Sequence, residues 1–209
     1  MRLVLARHGR TAANAMHVLD SRPPGAPLDE LGRDQADELA RRLAGHPVRA
    51  VHASRAIRAQ QTASPVAAVH GLAVEVVDGI HEVSIGELEG RSDGAAFEAF
   101  FEVYDAWWRG ELDARLPGGE SALDLRARFL PAVERIVGDA DRDGDVVLVS
   151  HGAAIRMAAA ALLGDTVETS YVPNAGLVVL HREEQGWVLD AWDPGEPVRK
   201  DVTGGGAPA

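Results

Sequence analysis

The sequence predicts an α/β protein: a three-layer α/β/α sandwich with a mostly parallel sheet, an antiparallel edge and a small helical cap insertion. Short apolar strands alternate with helical patterns along most of the chain, which is typical of a parallel sheet covered by helices on both faces. Two neighbouring strand patterns near the end predict the antiparallel edge. An aromatic-rich segment with helical spacing, between residues 97 and 108, predicts the cap.

The strands are predicted from short apolar runs that are bounded by polar or glycine-containing turns. The runs that we assign to parallel strands are 2–6, 48–53, 74–77 and 145–150, and the predicted hairpin pairs 176–181 with 187–192.

Helices are predicted where apolar residues recur every three or four positions. The segments with this spacing are 31–43, 55–69, 123–137 and 153–163. Ser54 stands where the N-cap of the second of these helices is expected.

The length of 209 residues favours a single domain. We predict one domain over residues 1–195, with a cap-like insertion at about 91–118. The remaining residues, 196–209, are mostly small and are expected to form a flexible C-terminal tail.

Composition and charge exclude several kinds of partner. The chain is 46% hydrophobic, enough for a full core, and the absence of cysteine excludes disulfides, thiolate metal sites and cysteine nucleophiles. A net charge of −11 disfavours nucleic acids and anionic membranes as partners. No segment has the length of a signal-peptide core or a membrane helix, so the expected location is the cytoplasm.

Six of the ten aromatic residues lie between residues 97 and 108, and five of them keep helical spacing. This face either packs into the core, forms the interface of a homodimer, or acts as a lid whose rings border a substrate. The sequence leaves these interpretations open.

Two histidines stand where a parallel strand ends and a turn follows. His8 comes after the first strand and His151 after the fourth, and each is followed by glycine. Because the carboxyl ends of parallel strands border the ligand crevice, we expect the two imidazoles to share a site. Arg7 adds a guanidinium group beside His8, which suits bidentate binding of phosphate.

A histidine that attacks phosphorus must be neutral and needs cationic partners for the phosphoryl oxygens. Nearby positive charge keeps an imidazole neutral because it lowers the pKa. A second arginine is present at the start of the helix at 55–69, as Arg55 or Arg58. A carboxylic acid for protonation of the leaving group is present as Glu82 or Glu87.

Six ordered motifs connect these residues. They are Leu5-Ala6-Arg7-His8-Gly9-Arg10-Thr11 with Asn14, Pro27-Leu28 with Gly32 and Gln35-Ala36, Ser54 with Arg58-Ala59 and Thr62-Ala63, Glu82 with Gly86 and Gly90, PGGES at 117–121, and Ser150-His151-Gly152. Together they resemble the histidine phosphatase superfamily, in the branch of the cofactor-dependent phosphoglycerate mutases and their phosphatase relatives. The resemblance spans about residues 2–192.

The resemblance implies a role for five residues. His8 is the nucleophile that becomes phosphorylated, and Arg7, Arg58 and His151 form its phosphate pocket. Glu82 donates a proton to the leaving group and then activates water against the phosphohistidine.

Further residues match positions at the phosphate group, namely Thr11, Asn14 and Gly152. Arg55, Glu87 and Glu89 fall outside the matched positions and are interpreted as solvated charges. No metal and no cofactor is implied.

The sequence departs from the family pattern in two segments, of which the second favours hydrolysis over mutase chemistry. Residues 20–27 read DSRPPGAP, and prolines lack the N–H donors that a backbone contact to phosphate requires. Residues 81–93 read HEVSIGELEGRSD and lack the tyrosine and the additional basic residues of mutases. In the segment at 117–121, Glu120 and Ser121 either line the pocket or form a turn and a helix N-cap.

The sequence therefore predicts a metal-independent phosphomonoester hydrolase that acts through a phosphohistidine on a small phosphorylated metabolite. A cofactor-dependent phosphoglycerate mutase is the first alternative, and a phospho-ligand-binding module with little turnover is the second. A serine hydrolase is rejected because Ser150 and His151 are neighbours on opposite faces of a strand. A zinc site on His8 and His151 lacks further ligands at suitable spacing.

Overall fold

Six strands form one mixed sheet in the computed structural model, which describes residues 1–138, 143–165 and 167–193. The strands are β1 (Arg2–Arg7), β2 (Val48–Ala53), β3 (Val74–Val76), β4 (Asp145–Ser150), β5 (Leu177–Glu183) and β6 (Gly186–Asp193). Their order is β3-β2-β4-β1-β5-β6, and the first four in this order pair in parallel. β5 runs antiparallel to β1 and β6, which confirms the predicted antiparallel edge.

Six α-helices connect or cover these strands in the described residues. They are α1 (Ala12–Ala15), α2 (Glu30–Leu43), α3 (Ile57–Val69), α4 (Gly94–Trp108), α5 (Ala122–Val137) and α6 (Gly152–Leu162). A short 3-10 helix, Gly86–Leu88, lies between β3 and α4.

The central strands β1 and β4 are buried on both faces of the sheet, which confirms the three-layer architecture. Alternate residues of a strand point to opposite faces. Leu3 and Leu5 therefore pack in one apolar cluster with α4, α5 and α6, whereas Val4 and Ala6 pack in a second cluster with α2 and α3. This double burial explains why the strands read as continuous apolar runs rather than as alternating patterns.

The sequence suggests a helix N-cap at Ser54 and at Ser121, and the structure shows only the second. Ser121 forms a capping box with Asp124 at the start of α5, as its position in PGGES allows. The prediction that Ser54 caps the following helix is wrong, because α3 begins at Ile57 after Ala56 and no side chain caps it. The hydroxyl of Ser54 instead binds an imidazole, as described below.

The cap insertion packs into the main hydrophobic core through α4. Ala96, Ala106 and Trp107 of α4 are buried in the cluster that also contains Leu3. The indole Nε1 of Trp107 donates to the carbonyl oxygen of Ala114 at 2.7 Å, which ties the helix to the segment that follows it. One side of the aromatic helix is therefore core, and the homodimer stays a prediction.

The boundary predicted at residue 195 and the tail at 196–209 lie outside the described residues. Within the described ranges, we find no helix that is long and apolar enough to cross a membrane.

Candidate active site

The two predicted histidines meet at the carboxyl ends of β1 and β4. These strands are adjacent and parallel, so the residues that follow them lie side by side. The backbone N–H of His8 donates to the carbonyl oxygen of Ser150 at 3.0 Å, and the ring centroids of His8 and His151 are 5.1 Å apart. The structure thus brings together two residues that are 143 positions apart in the chain.

His8 is held with one ring nitrogen facing the site. Its Nδ1 lies 2.7 Å from the carbonyl oxygen of Gly9, which can only accept, so Nδ1 carries the proton and Nε2 holds the lone pair. The Nε of Arg58 donates to this Nε2 at 3.2 Å. Burial, followed by the charges of Arg58 and Arg7, holds the pKa of His8 well below 6.5. His8 is therefore a neutral imidazole at physiological pH.

His151 is oriented by a buried serine. Its Nε2 lies 2.7 Å from the Oγ of Ser54, which also accepts the backbone N–H of Ala56 at 3.3 Å. The serine hydroxyl can donate to Nε2 while its oxygen accepts from the backbone, and in that arrangement the imidazole proton lies on Nδ1. This Nδ1 is buried and has no protein partner among the described residues. Burial and the charge of Arg58 also lower the pKa of His151 well below 6.5.

Arg7 crosses the start of α6 at close range. Its Nη1 donates to the carbonyl oxygen of Val172 at 2.8 Å and to the hydroxyl of Tyr171 at 2.5 Å. A Cβ at Gly152 would lie 3.2 Å from the Cζ of Arg7, so the glycine leaves room for the guanidinium group. Gly152 therefore has a steric role, in making room for Arg7, in addition to its predicted contact with phosphate.

The proline-rich segment at 20–27 surrounds Arg58. The carbonyl oxygen of Asp20 accepts from the Nη2 of Arg58 at 3.0 Å, and the carboxylate of Asp20 lies 3.4 Å from its Nη1. Gly25 has a φ of +65°, and a Cβ there would lie 2.1 Å from the same Nη1. The segment therefore positions the second arginine. Arg55 is exposed and pairs with Asp78, in agreement with its interpretation as a solvated charge.

Glu82 lies at the N-terminus of α6. Its Oε1 accepts from the backbone N–H of Ala154 at 2.9 Å and its Oε2 accepts from that of Ala153 at 3.2 Å. Free N–H groups at a helix N-terminus stabilise an anion, so these contacts fix the carboxylate beside His151. The side chain is half-buried and lines the chamber described below.

An internal ion pair holds the loop that carries Glu82. Arg128 donates to the carbonyl oxygens of Gly79, His81 and Glu82 at 2.8 to 2.9 Å and pairs with Glu120. Of the two interpretations of the segment at 117–121, the structure favours the turn and N-cap: Glu120 binds Arg128, and Ser121 caps α5.

Three small polar residues surround the turn after β1. Thr11 caps α1: its hydroxyl accepts from the backbone of Asn14, and the Oδ1 of Asn14 accepts from the backbone of Thr11. Asn174 donates its amide to the carbonyl oxygen of His8 at 3.0 Å. Asn14 lines the chamber, whereas Thr11 is buried and supports Asn14.

The prediction that Glu89 is a solvated charge is wrong. Its carboxylate accepts from the backbone N–H of Ser21 at 2.9 Å, from the hydroxyl of Ser21 at 2.6 Å and from the backbone of Arg22. It therefore anchors the start of the proline-rich segment, which a sequence motif alone does not reveal.

A chamber of about 390 Å³ opens above this site. One part of it is lined by residues of the predicted phosphate site, namely Arg7, Asn14, Glu82 and Gly152. The other part is lined by the aromatic side of α4, with Phe97, Phe100, Phe101 and Tyr104, and by Arg156 of α6. The aromatic helix is thus core on one side and chamber wall on the other.

Sequence reasoning missed three positioning residues. Ser54 is part of the same motif as Arg58, and its spacing from a strand end is the signal that could have placed it beside His151. Asp20 begins the proline-rich segment, whose sequence indicates only the lack of N–H donors for phosphate and not a contact to an arginine. Asn174 lies in irregular chain more than 20 residues after His151, and no local pattern marks it.

The fold and the site together define a protein of the phosphoryl-transfer class, with two neutral imidazoles between two arginines at the edge of a parallel sheet. The chain belongs to the histidine phosphatase superfamily (branch 1), whose family model matches residues 3–194.

Comparisons with known proteins agree with this family. The chain is 34% identical over 229 residues to the glucosyl-3-phosphoglycerate phosphatase of Mycolicibacterium vanbaalenii, covering 96% of this chain and 98% of the relative. It is 32% identical to the metal-independent phosphoserine phosphatase of Arabidopsis thaliana, covering 91% and 80%. A PE-PGRS family protein of Mycobacterium tuberculosis is 31% identical, but the chain spans only 36% of its length.

A solved structure of a mycobacterial glucosyl-3-phosphoglycerate phosphatase in complex with VO3 superposes with a TM-score of 0.80 at 30% identity, covering 93% of this chain and 99% of the other. The family and its named phosphatases confirm the prediction of a phosphomonoesterase.

Proposed function

We propose that this protein hydrolyses a small phosphorylated metabolite through a phosphohistidine formed on Nε2 of His8, without a metal ion. The observation that carries the proposal is the hydrogen bond between Nδ1 of His8 and the carbonyl oxygen of Gly9, since it directs the lone pair of a neutral imidazole towards Arg58. Phosphatases among the relatives act on glucosyl-3-phosphoglycerate and on phosphoserine, which supports a small phosphorylated metabolite as substrate.

In the first step, Nε2 of His8 attacks phosphorus and the bond to the leaving oxygen breaks. Arg7, Arg58 and the Nδ1–H of His151 donate to the phosphoryl oxygens, whose charge is otherwise unfavourable in a buried site. The negative charge of the bound phosphate favours the protonated form of Glu82 over the carboxylate that accepts the N–H groups in the free site, and Glu82 gives this proton to the leaving oxygen. The products are the alcohol and the phosphohistidine.

In the second step, water attacks the phosphorus of the phosphohistidine. The carboxylate of Glu82 takes a proton from this water, and the bond between phosphorus and Nε2 breaks to release inorganic phosphate. The two arginines supply the positive charge that other phosphatases obtain from metal ions.

The test is phosphate release from p-nitrophenyl phosphate and from a panel of phosphorylated sugars, glycerates and nucleotides, measured in EDTA. We expect turnover by the wild type, loss of turnover in His8→Ala, and an alkali-stable phosphoryl label on the wild type after rapid quenching. Arg55→Ala is the matched control for Arg58→Ala, because Arg55 lies two residues before α3 and Arg58 lies in its first turn, but only Arg58 contacts His8. Turnover that His8→Ala retains would overturn the proposal.

Turnover only after priming with 2,3-bisphosphoglycerate would favour the mutase alternative. Tight phosphate binding without turnover would favour the binding module.

A further inference from the structure

Arg156 is one of three arginines in the described ranges that line the chamber; Arg7 belongs to the predicted phosphate site, and Arg10 pairs with Asp29. Arg156 lies on α6, four residues after Gly152, which corresponds to about 6 Å along the helix axis. Its guanidinium group reaches the hydroxyl of Tyr104, a residue of α4 that also lines the chamber. Both Gly152 and Arg156 line the chamber.

Neutral groups hold this guanidinium in place. Its Nε donates to the Oγ1 of Thr169 at 3.0 Å, its Nη2 to the carbonyl oxygen of Thr169 at 2.9 Å, and its Nη1 lies 3.5 Å from the hydroxyl of Tyr104. Its Cζ lies 4.0 Å from the centre of the Trp108 ring, which fixes the plane of the group.

No carboxylate neutralises Arg156 within the residues that the structure describes. Two other arginines of low exposure have such a partner, since Arg58 pairs with Asp20 and Arg128 pairs with Glu120. In the described part of the chain, Arg7, which lines the same chamber, resembles Arg156 in donating only to a hydroxyl and a carbonyl oxygen. A guanidinium group carries five N–H donors, and the contacts of Arg156 use three of them. A half-buried, unneutralised cation with spare donors is complementary to an anion from outside the protein.

We propose that Arg156 binds a carboxylate on the organic part of the substrate, so that the preferred substrates are phosphomonoesters that carry a carboxylate. This inference rests on the proposed function of the site. A carboxylate fits better than a second phosphate group, because one planar guanidinium matches one singly charged, planar anion, whereas the phosphate site uses two arginines. The aromatic side of α4 then packs against the carbon skeleton between the two anions.

The test uses pairs of phosphoesters that differ mainly in a carboxylate: 3-phosphoglycerate with glycerol 3-phosphate, and phosphoserine with phosphoethanolamine. In the wild type we expect a higher kcat/KM for the first member of each pair. In Arg156→Gln, kcat/KM for that member falls by about tenfold or more, because a charged hydrogen bond is lost, while the second member changes by less than about twofold. Arg156→Lys, which keeps the charge, retains part of the preference.

Arg109→Gln is the matched control. Arg109 lies at the end of α4, is exposed, pairs with Glu111 and does not line the chamber, so its loss changes the net charge equally. Thermal unfolding of each variant reports on folding. Equal losses for both members of a pair, or no preference in the wild type, would show that Arg156 only stabilises the structure and would overturn the proposal.

A binding measurement separates this proposal from the proposed chemistry. In the His8→Ala background, calorimetry measures the affinity for 3-phosphoglycerate and for glycerol 3-phosphate with and without Arg156→Gln. Selective weakening of 3-phosphoglycerate binding supports the carboxylate contact even if the wild type shows no turnover. Unchanged relative affinities refute it even if turnover is normal.

Discussion

Replacement of Ser54 by alanine tests how the second histidine is oriented. The Oγ of Ser54 lies 2.7 Å from the Nε2 of His151, and both side chains are completely buried. The substitution leaves this nitrogen and the backbone N–H of Ala56 without their partner, at a cost of about 1–3 kcal/mol in the free energy of unfolding. It also removes the hydrogen bond that orients the imidazole and that, with the hydroxyl as donor, keeps the ring proton on Nδ1, so we expect kcat to fall by about 10- to 100-fold.

Ser150→Ala is the matched control for this experiment. Ser150 is equally buried and adjacent to His151, but its hydroxyl donates to the carbonyl oxygen of Ile80 at 2.7 Å and not to an imidazole. Denaturant unfolding should show losses of similar size for the two variants, and steady-state kinetics should show a much larger loss of kcat for Ser54→Ala. Equal kinetic losses would refute the orientation argument.

Three further predictions concern the residues around the nucleophile. Because burial and the nearby guanidinium groups lower the pKa of His8, the imidazole stays neutral until the pH falls through that lowered value. A pH profile of kcat/KM should therefore show the acid-side loss of activity below pH 6.5. A midpoint of this loss above pH 6.5 would contradict the prediction. Gly25→Ala should reduce kcat/KM by about tenfold or more, because the new Cβ would lie 2.1 Å from the Nη1 of Arg58. Gly71→Ala controls for backbone strain, since Gly71 has a similar φ of +66° and a Cβ there would meet no atom within 4 Å. This control should keep full activity in the same assay. Arg128→Met should destabilise the fold by about 3 kcal/mol or more, because a half-buried carboxylate and three carbonyl oxygens lose their donor; a change below about 1 kcal/mol on urea unfolding would contradict this.

The sequence predicted those features that depend on local pattern. Continuous apolar runs located the strands, and the position of His8 and His151 after two of them brought both into one site, because neighbouring parallel strands end at the same edge. The spacing of the matched motif selected Arg58 over Arg55, and the structure places only Arg58 beside His8.

The sequence could not predict contacts that depend on how distant loops fold over the site. A capping position and a position beside an imidazole are both suitable for a buried serine, so Ser54 was ambiguous until the sheet placed it next to His151. The proline-rich segment was judged by its missing N–H donors, whereas its function here uses a carbonyl oxygen of Asp20 and the small size of Gly25. Arg156 could not be recognised as a binding residue from the sequence, because the lack of a carboxylate partner depends on how the chain folds around it.

The attachment of α4 to the main core has a consequence for how enzymes of this architecture diversify. Because Ala96 and Trp107 pack in the core, Phe97 and Phe101 on an adjoining face of the helix contribute to the chamber while adding little to the core. Substitutions at those two positions can reshape the chamber at small cost in folding free energy. Substrate preference and structural integrity therefore depend on different faces of one helix. New specificities can arise by single substitutions that leave the catalytic residues unchanged.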